Sequence, residues 1–289
     1  MSINSIESNF VRQYADTFTV LCEQKDSRLL GSVTNNGEVT GDSFTTIEIS
    51  GAEDGKLIKR GDVTQYNDSE YASRLALMVD SANFTRVAIQ DLKKLKANPT
   101  DQLLKRLVSA RNRKIDAVIY AALTGVAQRK VVGGDVYTNV ALPATQTLGA
   151  DTTPISKQLL IDIRTKFLAN EVPQDEGLYI TYNAEMLNTI LADTTLTSGD
   201  YLAGQMLQKG EVANFLGFNW VHYEGIAKAG KGLGVAYTSD ACVFGSQVHS
   251  PLKIAEVEGM NRMQSIGHID GFGAVRADEK RVVAFKFKS

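Results

Sequence analysis

The chain has 289 residues, 43% hydrophobic and 22% charged, enough to bury one large core or two smaller ones. Its 31 basic and 33 acidic residues nearly cancel to a net charge of -2, so bulk charge singles out neither nucleic acid nor a membrane surface as a partner. Cys22 and Cys242 lie far apart without a CxxC, which excludes a disulfide framework and a thiolate metal site and leaves a single bridge open.

The opening MSINSIESNF has neither a basic n-region nor an apolar h-region, and no later run approaches the roughly 18 apolar residues of a membrane span. A cytoplasmic product without membrane contact is expected. Ile3, Ile6, Phe10, Val11, Tyr14, Phe18 and Leu21 recur at helical spacing and predict an amphipathic arm. Asn35, Asn36, Gly37 and Gly41 then mark turn-rich text, and Phe44 to Ile49 reads as a strand rich in β-branched residues. A tip at Gly51 to Gly55 and a return through Leu57, Ile58, Val63, Gln65 and Tyr66 complete a long hairpin. Between Glu38 and Glu70 it carries eight acids against Lys56, Lys59 and Arg60. A polar two-stranded ribbon is marginal alone, so it should lie on something else.

Leu75, Leu77 and Val79 alternate like a strand, while Val87, Ile89 and Leu92 fit either a sheet edge or a short helix. The spacing predicts one long helix after Pro99, with Thr100 as N-cap, Asp101 at the positive end of the dipole and Gly125 as a left-handed stop. Leu104, Leu107, Val108, Ile115, Val118, Ile119 and Ala122 form its apolar stripe, and Lys105, Arg106, Ser109, Arg113 and Asp116 its polar side. At about 1.5 Å per residue it is a rod of roughly 35 Å. Ser156 caps a second helix that Pro173 ends. An α/β block follows: a strand over Leu178 to Tyr182, a short helix capped by Asn183, and a strand over Phe218 to Tyr223. A turn over Ala229 to Gly234 leads to further strands at Val235 to Tyr237 and Ala241 to Phe244. The segment from Arg281 to Lys288 alternates like a strand with one wet face.

Gly230 to Gly234 fits neither the dinucleotide fingerprint nor the Walker pattern and reads as a flexible hairpin turn. His222, His249 and His268 are isolated, and no HExxH, GxSxG or Cys-His pairing is present. The sequence therefore offers no catalytic, cofactor-binding or metal-ligating set. Local charge says more, because ten bases between Lys93 and Lys130 face only Asp101 and Asp116. The bland reading is a solvated helix face. The sharper one lays the acidic hairpin of one copy across the basic helix of the next, which would fix register and speed encounter. A third is non-specific contact with DNA phosphate.

Several stretches together resemble the major capsid proteins of tailed bacteriophages. They are FVRQYADTFTVLCEQKDSRLLGSV in the arm, NPTDQLLKRLVSARNRKIDAVIYAALTG in the helix, LYITYNAEMLNTILAD with TSGDYLAGQMLQKGEVANFLGFNWVHYEG in the α/β block, and GFGAVRADEKRVVAFKFK near the end. The resemblance covers nearly the whole chain and rests on diffuse patterns. It implies an α+β capsid fold with an arm over 1–35, an extended hairpin loop and its return over 36–83, and a peripheral domain over 84–154 with spine helix 100–124. An axial domain over 155–245 and a peripheral return over 246–289 complete it.

It further implies a non-enzymatic, cofactor-free subunit that forms hexamers and pentamers of an icosahedral head around double-stranded DNA. Such a head would assemble in the bacterial host cytoplasm with a portal protein and, since only a short stretch precedes the hairpin, a separate scaffolding protein. Carried onto this chain, contacts between copies fall to Phe10, Tyr14, Ile47, Ile49, Lys56, Leu57, Ile58 and Lys59, with Arg106 and Arg113 as charge partners. Some relatives cross-link a hairpin lysine to a neighbouring asparagine. Lys56 and Lys59 could play that part, but no supporting acid is identifiable and the link is not expected. Two rivals remain: an encapsulin-like nanocompartment shell, and a cytosolic α/β enzyme with its site near Gly230 to Gly234.

Overall fold

The computed structural model describes residues 23–50, 60–61, 63, 70–88, 100–131, 133–173, 175–192, 214–226, 231–257, 259 and 263–288. The arm helix with Phe10 and Tyr14, the hairpin tip, Lys56, Leu57, Ile58 and Lys59 lie outside the described residues. The described strands are β1 (Thr34–Glu38), β2 (Ser43–Ser50), β3 (Glu70–Leu77), β4 (Val79–Val87), β5 (Ala127–Val131), β6 (Thr138–Val140) and β7 (Thr147–Gly149). After them come β8 (Leu178–Tyr182), β9 (Asn214–Phe215), β10 (Phe218–His222), β11 (Gly232–Thr238), β12 (Cys242–Val257), β13 (Met263–Arg276) and β14 (Val282–Phe287). The helices are α1 (Thr100–Thr124), α2 (Lys157–Ala169) and α3 (Ala184–Ala192).

The chain divides into two units. One holds the described residues within 1–26, 81–112 and 248–270, the other those within 27–80, 113–247 and 271–289. The strands form three sheets, ordered β1-β12-β13-β4, β7-β14-β11-β8-β10-β9 and β2-β3-β5-β6. In the second unit Ile119 and Leu123 of α1, Ile163 and Phe167 of α2, and Ile180, Val235, Tyr237 and Phe285 of the six-stranded sheet are fully buried in one core. Each such side chain contributes about 1.5–3 kcal/mol of transfer free energy.

Local signals set most boundaries. The Ser156 hydroxyl accepts the Leu159 N–H at the start of α2, and the Asn183 side-chain oxygen accepts the Met186 N–H at the start of α3. The α2 end differs from expectation. Pro173 does not stop it; instead Asn170 is the C-cap, Glu171 turns left-handed at φ 58°, and the N–H groups of Glu171 and Val172 bond back to Leu168 and Phe167.

The long helix spans 100–124 as expected, with three corrections. Ser109 and Asp116, assigned to its wet side, are buried, and Val108, assigned to its apolar stripe, is exposed. Gly125 does not turn left-handed: its N–H still bonds to Ala121 at 2.8 Å, and the last carbonyls are taken by Arg276. A guanidinium there also complements the negative end of the helix dipole.

Gly232 and Gly234 are not a flexible turn either. They lie inside β11, where a Cβ would collide with the rings of Phe287 and Phe285 on β14. The two rings stack with centroids 6.0 Å apart, so the glycines are sites of close approach in a packed sheet. β14 itself has no wet face over Val282 to Phe285, which are all buried; it is an inner strand between β7 and β11, and its side chains join the core against α2. The single strand expected at Ala241 to Phe244 runs on as the 16-residue β12, followed by the 14-residue β13.

Candidate assembly surfaces

β2 pairs with β3 along its whole length, from Ser43 opposite Leu77 to Ser50 opposite Glu70, and is an edge strand of its sheet. Period-two alternation puts Phe44, Thr46 and Glu48 on one face and Thr45, Ile47 and Ile49 on the other. The apolar pair is outside: Ile47 is 71% and Ile49 68% exposed, and Tyr71, opposite Ile49, is also exposed. Glu48 turns inward, where it accepts the Nε–H groups of Arg74 and, at 2.8 Å, of Arg129. This strand hides its acid and leaves an exposed apolar stripe along the edge of its sheet.

Beneath this edge the charges interlock. Arg74 is 2% exposed and donates to Glu48 on β2, to both oxygens of Glu279 and, at 3.1 Å, to the Arg276 carbonyl. Arg276 is fully buried and donates to the carbonyls of Leu123 at 3.1 Å, Gly125 at 2.7 Å and Val140 at 3.1 Å, and to Glu279 at 3.4 Å. Burial alone would raise the Glu279 pKa, but the hydrogen bond and charge of Arg74 and the charge of Arg276 outweigh it and hold the carboxyl below its ordinary value. A cleft of about 550 Å³ opens beside the cluster, walled by Thr46 to Ile49 and by Ala277 to Arg281.

On α1, Arg106 is largely exposed and stands 3.8 Å from Glu23, and Arg113 is exposed. The structure therefore presents Ile47, Ile49, Arg106 and Arg113 at the surface and leaves Glu48 engaged within its own chain. Sequence patterning alone does not mark as sites the four residues that organise the interior polar contacts, Arg74, Asp116, Arg276 and Glu279. Their only local signal is the i, i+3 spacing of Arg276 and Glu279.

The histidines are likewise drawn into polar chains. Arg28 contacts His222 Nδ1, His222 Nε2 lies 2.7 Å from Glu224, and Glu224 accepts the Ala184 N–H at the start of α3. In the first unit His268 lies 3.6 Å from Asp270, which binds Arg111 at 2.7 Å. Among the described residues no group of three or more His, Cys, Asp or Glu side chains is placed to hold a metal ion, and no helix is long and apolar enough to cross a membrane.

Comparison with known proteins identifies the family of the chain. The family model described as phage capsid protein matches residues 6–289. No curated protein matches the chain. Among solved structures, the capsid of cyanophage P-SCSP1u superposes with a TM-score of 0.72 at 12% identity, covering 97% of this chain and 93% of that one. A chain of Gordonia phage Cozz gives 0.71 at 12% identity over 99% and 94%. The mature capsid of bacteriophage PhiM1 gives 0.70 at 11% identity over 96% and 91%. The shared architecture extends over almost all of each chain, and this chain belongs to the phage capsid protein family, with the α+β fold of tailed-phage major capsid proteins.

Proposed function

We propose that this major capsid protein tiles a closed icosahedral head as hexamers and pentamers around double-stranded DNA, and that it does so without catalysis. The observation that carries the reading is the family match over 6–289. The exposed isoleucines of an edge strand give it a physical basis, since apolar area left open on one subunit is covered on meeting another. Many modest contacts repeated by symmetry then add up to a stable shell. In this reading 1–35 is the arm, 36–83 the lapping hairpin, 84–154 with 246–289 the peripheral domain and 155–245 the axial domain. A portal protein, a separate scaffolding protein and non-specific contact with packaged DNA complete the partners, and assembly takes place in the bacterial cytoplasm.

Electron microscopy of the purified protein, alone and with a scaffolding protein, tests this. Shells or capsomer rings are expected; a homogeneous monomer or dimer under both conditions would overturn it. Reversing Arg106 and Arg113 to Glu together should lower particle yield with the subunit still folded, and unchanged yield would remove these two from the contact set.

A further inference from the structure

We propose that Glu279 is an acid-released latch on the base of the β2–β3 hairpin: its carboxylate ties β3 to the turn between β13 and β14, and neutralising it frees that base while the six-stranded sheet stays folded.

The geometry makes Glu279 the shared counterion of two buried cations. Arg74 reaches it from β3, with Nη2 at 2.6 Å, and Arg276 from the end of β13, at 3.4 Å. Protonating this carboxyl leaves two buried guanidiniums side by side without the anion between them, and like charges in a poorly solvated site repel strongly. Each cation nevertheless keeps a partner of its own. Arg74 retains Glu48, and Arg276 retains the carbonyls of Leu123, Gly125 and Val140. Neither is orphaned, so the strain is relieved by local separation of the turn from β3 and not by loss of the core. The adjoining cleft admits water and gives the turn room to move.

The charged groups around Glu279 come from every neighbouring element. They are Glu48 on β2, Arg74 on β3, Arg129 on β5 and Arg276 on β13, with Asp278, Lys280 and Arg281 on its own turn and Asp240 across the cleft. Arg281 is held by Glu176 at 3.0 Å and lies within 4 Å of Asp240 and Asp278, so it does not replace either buried guanidinium. Burial drives the Cys242 thiol near Arg276 up to about 12, so it stays neutral and supplies no counter-charge. Because the Glu279 carboxyl titrates below its ordinary value, the latch is closed at neutral pH and opens only on acidification through that lowered value.

Hydrogen exchange on the full-length subunit reads this directly. At about pH 7, Glu279→Gln should raise exchange of the β3 amides by about tenfold or more while β11 and β14 amides keep their protection. Asp278→Asn, on the same turn, should match the parent chain. Acidifying the unmutated protein should reproduce the β3-confined increase, after correction for intrinsic exchange rates, and neutralising should reverse it. Unchanged β3 exchange in Glu279→Gln, or acceleration that spreads equally to β11 and β14, would overturn the proposal. If that variant does not fold, the acid series on the unmutated chain decides by the same two patterns.

Discussion

The carboxylate of Asp116 accepts the backbone N–H of Leu29 at 3.1 Å, and both residues are fully buried. Asp116 also accepts the Arg28 N–H, so one side chain on α1 fixes the path of the chain through residues 28 and 29. Truncation would strand the buried Leu29 donor and take the acceptor from the part-buried Arg28 amide. Asp116→Ala should therefore cost about 2–4 kcal/mol, and Asp116→Asn, which keeps an acceptor, roughly half as much. Urea unfolding of the soluble subunit measures both; a loss below about 0.5 kcal/mol for the alanine variant would contradict this anchoring role.

The α2 terminus offers a change of opposite sign. Glu171 holds φ 58° at the position after the C-cap, where side chains other than Asn and Gly are disfavoured. Glu171→Gly should stabilise the subunit by about 0.5–1 kcal/mol, visible as a higher thermal midpoint. A lower midpoint would mean that the Glu171 side chain contributes more than its backbone costs.

Gly234 and Phe285 should be coupled. A methyl group on Gly234 displaces the Phe285 ring, so Gly234→Ala should cost about 1–3 kcal/mol. In a Phe285→Leu background the same substitution should cost less, because the smaller side chain leaves room. A double-mutant cycle by denaturant unfolding tests this, and strict additivity would exclude the ring contact as the cause.

His268 predicts a pH dependence. Burial lowers its pKa below the ordinary 6.5, with Arg111 adding to the effect and Asp270 opposing it. The unfolded chain then binds the proton more readily, so stability rises with pH in this window and is lost as pH falls from about 6.5 through the lower folded value. His268→Gln should flatten that slope in a series of urea midpoints. An unchanged slope would assign it to other groups.

The outward isoleucines predict a separation of folding from assembly. Ile47→Ser with Ile49→Ser removes exposed apolar surface and should leave the unfolding free energy within about 0.5 kcal/mol of the parent, while sedimentation shows fewer particles. Parent-like particle yield would indicate that this strand face stays uncovered in the shell.

What could be read in the residues alone was what neighbours in sequence decide. The span of α1, the caps at Ser156 and Asn183, and the strands at Phe44 to Ile49 and Leu178 to Tyr182 follow from periodicity and local hydrogen bonding. The errors sit where a distant residue intervenes. Gly125 needed no left-handed turn because Arg276 takes its carbonyl, and Asp116 is dry because residues 28 and 29 reach it. Gly232 and Gly234 looked like a turn because nothing near them in sequence announces Phe285 and Phe287. The orientation of β2 illustrates the same limit, since alternation defines two faces but an intrachain core would ordinarily claim the isoleucines and expel Glu48.

The placement of β14 bears on synthesis. This strand, over 282–287, lies between β7 and β11, so the six-stranded sheet stays split until nearly the last described residue has left the ribosome. A polypeptide interrupted earlier exposes β7 and β11 as open edges. A nascent chain that stops short of residue 282 therefore cannot join β7 to the rest of that sheet.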